Sequence, residues 1–315
     1  MNCTAQLAGK KFNHVIMNAS GAHCMTAEQL YEIYHADTAA IVTKSCTLQP
    51  RQGNPEPRYT EIPLGSLNSM GLPNLGLHFY QNFVQEAQQD KPIFISLAGL
   101  SLEENLEMLQ QLNQHSTTAI IELNLSCPNL PGKPQTGYDF QRTQQVLEQV
   151  FSFNKLPLGV KLPPYFDIIH FEQMAAILNQ YPLQFVTCIN SIGNALHIDP
   201  ATDTTVIRPK NGFGGLGGQY IKPTALANVH QFYRLLNPSI QVIGCGGATT
   251  GLDIYQHLLC GASLVQIGTQ LMIEGPGVFT RLLQELQEVM QEKGYTSIDQ
   301  FRGKLKYWEQ QNPTT

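Results

Sequence analysis

The segment Glu122-Leu123-Asn124-Leu125-Ser126-Cys127-Pro128-Asn129 alternates polar and apolar side chains before it runs into a turn. Successive side chains of a β-strand point to opposite faces of the sheet. Glu122 and Asn124 therefore share one face, and the two leucines share the other. We expect the polar face to look inward and the leucines to pack outward against helices.

A single thiol stands where this strand ends. Cys127 lies between the amides of Asn124 and Asn129, whose donors and acceptors can match the amide and imide edges of a heterocycle. Neither amide is charged, whereas a thiol can take up or release a proton. The segment therefore indicates a site for proton abstraction from a polar ring.

Short apolar runs of the same kind recur along the chain and predict eight strands. They cover residues 14–18, 39–43, 93–97, 120–125, 158–161, 185–189, 241–244 and 264–267. Apolar residues with helical spacing follow at 103–112, 140–151, 171–178, 224–236, 252–259 and 278–293. Strands that alternate with helices form a parallel sheet, and eight of them favour a closed (β/α)8 TIM barrel. Because no linker or repeat interrupts the pattern, we predict one barrel domain over residues 1–315.

Two connections are too long for ordinary barrel loops, and both leave the carboxyl ends of strands, where barrel enzymes carry their sites. Residues 45–91 include a predicted helix at 77–88, and residues 190–222 end in Gly212-Phe213-Gly214-Gly215-Leu216-Gly217-Gly218. This run satisfies G-x-G-x-x-G, the motif of dinucleotide-binding folds, but the motif must follow a strand and open a helix. Here Arg208-Pro209 precedes it, so we predict a flexible loop instead.

Glycines follow the last two predicted strands. Gly246 and Gly247 come after strand seven, and Gly268 and Thr269 come after strand eight. Glycine lets the backbone approach an anion closely, and the loops after strands seven and eight bind phosphate in many barrels. Tight turns without a ligand are the alternative, but glycines at both strand ends favour a phosphate site.

Two lysines and several amides are predicted at the same mouth. Lys44 follows strand two and Lys161 closes strand five, and a buried lysine can form a Schiff base or act as a fixed cation. A hydroxyl at Ser191 follows strand six. Four asparagines complete the predicted site: Asn68, Asn124, Asn129 and Asn190.

Composition excludes several classes of protein. A chain of 315 residues with 42% hydrophobic residues has room for a large core, and its formal charge of −5 argues against a nucleic-acid partner. Its seven cysteines lack a CxxC pair and its nine histidines lack metal-ligand spacing, so we predict free thiols and no metal. No signal peptide or long apolar run is visible, and we expect a soluble, cytoplasmic protein with no membrane partner.

The chain also contains the motifs Asn68-Ser69-Met70-Gly71-Leu72-Pro73-Asn74, Gly159-Val160-Lys161-Leu162-Pro163-Pro164 and Asn190-Ser191-Ile192-Gly193-Asn194. With residues 124–129, they resemble the class 1A dihydroorotate dehydrogenases, the soluble, fumarate-linked type. The resemblance covers essentially the whole chain. It implies a homodimer with non-covalent FMN that oxidises (S)-dihydroorotate to orotate in pyrimidine synthesis, with fumarate reduced to succinate.

The resemblance also implies a role for each matching residue. Cys127 matches the base that takes a proton from C5 of dihydroorotate while a hydride leaves C6 for flavin N5. Residues 130–135 look like the family's lid, with Arg51, Pro57 and Lys133 as candidate supports. Substrate binding is implied for Lys44, Asn68, Met70, Gly71, Leu72, Asn129, Asn190 and Ser191. Flavin binding is implied for Ala19, Ser20, Lys44, Ser45, Asn124, Lys161 and Ile189, and the phosphate region for Gly218, Gly246, Gly247, Gly268 and Thr269.

Other interpretations stay open at this point. A class 1B enzyme also uses a cysteine base, but it passes electrons to NAD through an iron-sulfur and FAD partner subunit. Met70 and Pro73 in the substrate loop favour class 1A. A Schiff-base aldolase built on Lys161 would need no flavin, and a non-catalytic FMN-binding protein would not need Cys127 among four amides.

Overall fold

A computed structural model describes residues 1–87, 90–115, 117–126 and 135–308. Eight strands form one parallel sheet in which the second to the seventh strands along the chain each pair with the next one, and the eighth pairs with the first. This order is that of a (β/α)8 barrel, so the predicted fold class is confirmed. The strands are β1 (Ile16–Asn18), β2 (Ile41–Val42), β3 (Ile93–Leu97), β4 (Ile120–Asn124), β5 (Leu158–Leu162), β6 (Phe185–Cys188), β7 (Gln241–Cys245) and β8 (Ala262–Ile267).

A side chain bridges the seam between the first two strands. No backbone ladder joins β1 to β2 among the described residues, and the Asn18 amide bonds to the backbone of Val42 instead. An asparagine side chain carries the same donor and acceptor as a peptide group. Asn18 therefore completes the barrel where the two strands diverge.

Nine helices occur in the described part of the chain, and none of them combines the length and apolar character needed to span a bilayer. Seven correspond to predicted helices, whereas α1 (Ala27–His35) and the short α8 (Thr269–Glu274) were not predicted. Thr26 and Gln29 form a capping box at α1, a signal that the sequence does contain. The helices are α1 (Ala27–His35), α2 (Leu77–Glu86), α3 (Leu102–Gln114), α4 (Phe140–Phe151), α5 (Ile168–Leu178), α6 (Lys222–Leu235), α7 (Gly251–Leu259), α8 (Thr269–Glu274) and α9 (Val278–Glu292).

Aromatic side chains fill the amino-terminal end of the barrel. An antiparallel hairpin of Ala5–Leu7 and Lys10–Phe12 precedes β1 and brings Phe12 into the core, where it is fully buried. The ring centroid of Phe94 lies 6.2 Å from that of Phe12 and 5.6 Å from that of Phe185. Because this end is packed with rings, we look for a ligand site at the carboxyl ends of the strands.

The two long connections meet in an antiparallel sheet at the carboxyl end of the barrel. Its strand order is Ile192–Ala195, Gly214–Gly218, Gly65–Asn68 and Tyr59–Ile62, and a small hairpin of Ile198–Asp199 and Thr204–Thr205 extends from it. The prediction of a flexible loop at the glycine-rich run is therefore wrong. These glycines form a strand that lies very close to its neighbours, since a Cβ at Gly214 would lie 2.6 Å from the backbone oxygen of Asn68.

Candidate active site

A cavity of about 880 Å³ opens at the carboxyl ends of the strands, beneath the antiparallel sheet. This volume lies toward the upper end of the range for small-molecule sites, about 300–1,000 Å³. Every described residue of the predicted site lines it: Ala19, Ser20, Lys44, Ser45, Asn68, Met70, Gly71, Leu72, Asn124, Lys161, Ile189, Asn190, Ser191, Gly218, Gly246, Gly247, Gly268 and Thr269. Cys127, Asn129 and Lys133 lie outside the described residues.

The amides predicted from strands four and six are linked through a serine. Asn190 donates from Nδ2 to the Ser126 hydroxyl at 2.5 Å, and that hydroxyl donates to Asn124 Oδ1 at 2.6 Å. Asn190 Oδ1 also accepts the backbone N–H of Ser191 at 2.8 Å. Both asparagines are therefore held in one orientation near the carboxyl end of β4. Ser126 was not predicted as a site residue, although it lies between two predicted ones.

A buried carboxylate beneath these amides connects side chains from several strands of the barrel. Glu122 has no exposed surface and accepts hydrogen bonds from Ser96 at 3.2 Å, Thr187 at 3.0 Å and Gln266 at 2.8 Å. Its three partners come from β3, β6 and β8, so its side chain lies inside the barrel, as the alternation predicted. Full hydrogen bonding offsets much of the cost of burying a charge.

The cation of Lys161 lies beside this network. Its ammonium donates to Gln266 Oε1 at 3.0 Å, and the whole residue is only 4% exposed. Burial by itself lowers the pKa of Lys161, but Cys245 and Glu122 beside it raise that pKa above its ordinary value overall. Lys161 therefore carries a fixed positive charge on the cavity wall. Gln266, which orients it, was not predicted as a site residue, because a glutamine in an apolar strand has no distinctive spacing.

A second buried lysine lines the same cavity. Lys44 is 7% exposed, and its backbone N–H donates to Cys24 O at 3.0 Å. Next to it, the Ser45 hydroxyl pairs with Ser96 at 2.9 Å and accepts from Asn124 Nδ2 at 3.3 Å. The network of hydroxyls and amides thus extends from β2 across β3 to β4.

Free backbone N–H groups mark the end of the cavity near β7 and β8. Gly246 and Gly247 have φ angles of 126° and 74°, which only glycine adopts at little cost. Within the described part of the chain, the N–H groups of Gly246, Gly247 and Ala248 donate no hydrogen bond. Helix α8 begins at Thr269, and its first amides have no intrahelical acceptor either. This end of the cavity therefore suits an anion such as phosphate.

Serine and asparagine side chains of the antiparallel sheet reach the same cavity. The Ser66 hydroxyl lies 3.0 Å from the Thr269 hydroxyl, and Asn68 donates from Nδ2 to Gly215 O at 3.2 Å. Ser66 and Asn68 are two residues apart on one strand, so they share a face. Ser66 was not predicted, although its alternation with Asn68 is visible in the sequence.

Three comparisons with known proteins agree with this geometry. A sequence model of the family described as "Dihydroorotate dehydrogenase" matches residues 2–290. The chain is 56% identical over 310 residues to "Dihydroorotate dehydrogenase (fumarate)" of Lachancea kluyveri, which covers 96% of this chain and 99% of that one. It is 56% identical over 303 residues to "Dihydroorotate dehydrogenase A (fumarate)" of Lactococcus lactis subsp. cremoris, with 95% and 97% covered.

A solved structure supports the fold independently. The crystal structure of DHODH from Eimeria tenella in complex with ferulenol matches with a TM-score of 0.81, over 96% of this chain and 88% of that chain. The two sequences are 19% identical, so this likeness concerns the fold alone.

Proposed function

The chain belongs to the dihydroorotate dehydrogenase family, and we propose that it oxidises (S)-dihydroorotate to orotate in pyrimidine synthesis, with FMN as cofactor and fumarate as final acceptor. One observation carries the proposal. A single cavity holds free backbone amides at one end, the Lys161 ammonium on its wall and a fixed set of asparagines at the other end. These are the groups that a phosphorylated, electron-accepting cofactor and a polar ring would need.

The residues of the cavity fit FMN. Its phosphate would be held by the N–H groups of Gly246, Gly247 and Gly268 and by the Thr269 hydroxyl. Position 247 has no room for a side chain, since an added Cβ would lie 2.5 Å from the Lys222 side chain. Its ring would be held by Ala19, Ser20, Lys44, Ser45, Asn124, Lys161 and Ile189, with Gly218 beside the phosphate. When bound, FMN supplies the hydride acceptor. Lys161 stabilises negative charge that develops on such an acceptor without having to move.

The substrate would bind at the end of the cavity with the asparagines. Asn68, Asn190 and Ser191, with Asn129, match the amide and imide edges of the pyrimidine, and Lys44 offers a charge nearby. The backbone of Met70, Gly71 and Leu72 adds donors for the substrate carboxylate. The hydrogen bonds between Asn124, Ser126 and Asn190 support this role. They fix the orientation of both amides, so that a ligand encounters a single arrangement of donors and acceptors.

Cys127 is proposed as the base that accepts the proton from C5 of dihydroorotate. A free thiol has a pKa of about 8.5, so a thiol base of this kind becomes more effective as the pH rises toward that value. Substitution of Cys127 by alanine should leave FMN bound and slow the bleaching of the flavin roughly 10²-fold or more. Cys260→Ala, which removes a buried thiol outside the cavity, is the matched control.

An anaerobic experiment tests the proposed function. The purified protein should be yellow, lose its colour with dihydroorotate and regain it with fumarate. If colour returns only with NAD and a partner protein, the chain is a class 1B enzyme. A protein that binds no flavin, or that dihydroorotate leaves yellow, would contradict the proposal.

We also propose that the chain works as a single barrel domain, forms a homodimer and acts in the cytoplasm. Close similarity over nearly the full length of the fumarate-linked relatives supports this assignment. Light scattering of the purified holoprotein should give twice the mass of one 35.0 kDa chain. Cell fractionation should recover the activity with the soluble proteins.

A further inference from the structure

A carboxylate on the following helix fixes the loop from Gly246 to Thr250. Asp253 lies on α7, one turn after this loop, and it is 4% exposed. Its Oδ2 accepts the backbone N–H and the hydroxyl of Thr249 at 2.9 and 3.0 Å, and those of Thr250 at 2.9 Å each. One carboxylate oxygen therefore orders the backbone that follows the free N–H groups of Gly246, Gly247 and Ala248.

A lysine neutralises this carboxylate from the other side. Lys222, at the start of α6, donates from Nζ to Asp253 Oδ1 at 2.6 Å. The backbone and Cβ of Lys222 also pack on Gly247, since a Cβ added to Gly247 would lie 2.5–2.8 Å from them. An unpaired carboxylate so close to a phosphate site would repel the phosphate. The ion pair removes that repulsion and joins the segment after Gly218 to the loop after β7.

A third contact fixes the start of the loop. His257 lies one turn further along α7, is fully buried, and places Nε2 3.1 Å from Gly246 O. His257 bonds to Gly246 O, and Asp253 bonds to Thr249 and Thr250. Both ends of the loop are therefore fixed to one helix. The amides between these ends are then free for a ligand.

We propose that Asp253, paired with Lys222, is a positioning residue that shapes this loop for the phosphate of the cofactor. The inference rests on the proposed FMN cofactor and assigns no contact between Asp253 and the ligand. Asp253 acts through the backbone of residues 246–250, because an ordered set of N–H groups binds an anion without first losing its own freedom. Its effect is therefore confined to the phosphate and does not extend to the flavin ring.

Two flavins distinguish this role from a general structural one. FMN and riboflavin share the ring and the ribityl chain, but only FMN has the phosphate. Full-length protein freed of flavin is titrated with each of them, and binding is followed by the change in flavin fluorescence. In Asp253→Asn, a single amide oxygen cannot serve both the threonines and Lys222. We expect its FMN dissociation constant to rise roughly tenfold or more, and that of riboflavin to change less than about twofold.

Lys222→Gln and Asp167→Asn complete the design. Lys222→Gln breaks the same ion pair by changing its more exposed partner. If circular dichroism shows that Asp253→Asn does not fold, Lys222→Gln tests the role of the ion pair in its place. We expect this variant to lose FMN affinity selectively, because the unpaired Asp253 carboxylate would repel the phosphate. Asp167 caps α5 by accepting the N–H of Ile169 at 2.8 Å and lies outside the cavity, so Asp167→Asn is the matched control with unchanged affinities.

The outcomes separate this inference from the proposed function. Equal losses of FMN and riboflavin affinity, or no loss of either in folded variants, would overturn the role of Asp253. Wild-type protein that binds neither flavin would overturn the proposed function, and the inference with it. A selective loss of FMN affinity in the variants, with a normal wild type, supports both.

Discussion

The side-chain amide of Asn18 exchanges two hydrogen bonds with the backbone of Val42. Asn18 Nδ2 donates to Val42 O at 2.7 Å, and the Val42 N–H donates to Asn18 Oδ1 at 2.8 Å. Both residues are fully buried. This pair takes the place of a backbone ladder between β1 and β2, so a single side chain satisfies peptide groups that water cannot reach.

The first prediction concerns this pair. Asn18→Ala leaves the N–H and C=O of Val42 buried without partners, and we expect it to lower the free energy of unfolding by about 2–4 kcal/mol. Urea denaturation of the wild type and the variant measures the difference. Asn113 on α3, whose amide donates to Leu109 O and to the side chain of Asn154 just after α4, is the control. Asn113→Ala should cost less than half as much, and equal costs would count against a special role for Asn18.

The second prediction concerns the fixed cation. Lys161→Met keeps a side chain of similar length but removes the charge, so we expect it to retain FMN and to slow flavin reduction by dihydroorotate roughly 10²–10³-fold. Anaerobic stopped-flow absorbance measures the rate. Lys155→Met removes an exposed lysine and should leave the rate unchanged. Reduction of Lys161→Met at the wild-type rate would exclude electrostatic stabilisation by this residue.

The third prediction is a dependence of stability on pH. Burial lowers the pKa of His257 to about 4, below an unfolded value of about 6.5. Between these values the unfolded chain binds a proton that the folded chain does not, so stability falls as the pH decreases through this window. The loss attributable to His257 is about 3 kcal/mol over the whole window.

Denaturation curves for wild type and His257→Gln, measured at intervals from pH 7 to pH 4, isolate this contribution. Glutamine retains a donor for Gly246 O but does not titrate in this window. The pKa of His14 is also lowered by burial, but His14 is present in both proteins and cancels in the difference. We expect a shallower pH dependence in the variant, and parallel curves would show that His257 is not the titrating group.

The fourth prediction concerns the glycine strand. A Cβ at Gly215 would lie 2.2 Å from the Ser191 hydroxyl oxygen, so Gly215→Ala must displace the Ser191 side chain, which is predicted to bind the substrate. We expect the KM for dihydroorotate to rise and the free energy of unfolding to fall by about 1–3 kcal/mol. Gly277→Ala is the control, since nothing lies within 4 Å of its added Cβ. An unchanged KM in Gly215→Ala would mean that Ser191 does not bind the substrate.

Much of the fold was predictable because it is encoded locally. Apolar runs of four to six residues and helical spacing of apolar side chains identified all eight strands and seven helices. Alternation in residues 122–125 placed Glu122 on the inner face, where the structure has it. Glycines after the last two strands indicated where a backbone must approach a ligand. Each of these signals depends on neighbours within a few positions along the chain.

What the sequence could not determine are the contacts between distant segments. Gln266 meets Glu122 across 144 positions and Lys161 across 105, and no local period marks either pair. The glycine run of residues 214–218 looked flexible in isolation, because glycine weakens a lone strand. It is a strand here because Gly65–Asn68 supplies a pairing edge that only glycine can approach so closely.

The sequence alone therefore determined the elements, their order and the residue types at the barrel mouth, since backbone preference and side-chain periodicity act over short distances. The tertiary structure alone decided how the barrel closes at Asn18 and which carboxylate lies beneath Lys161. It also decided how α7 braces the loop after Gly246. These relationships depend on where the closed barrel brings remote side chains together, and its shape is set by the packing of the whole chain.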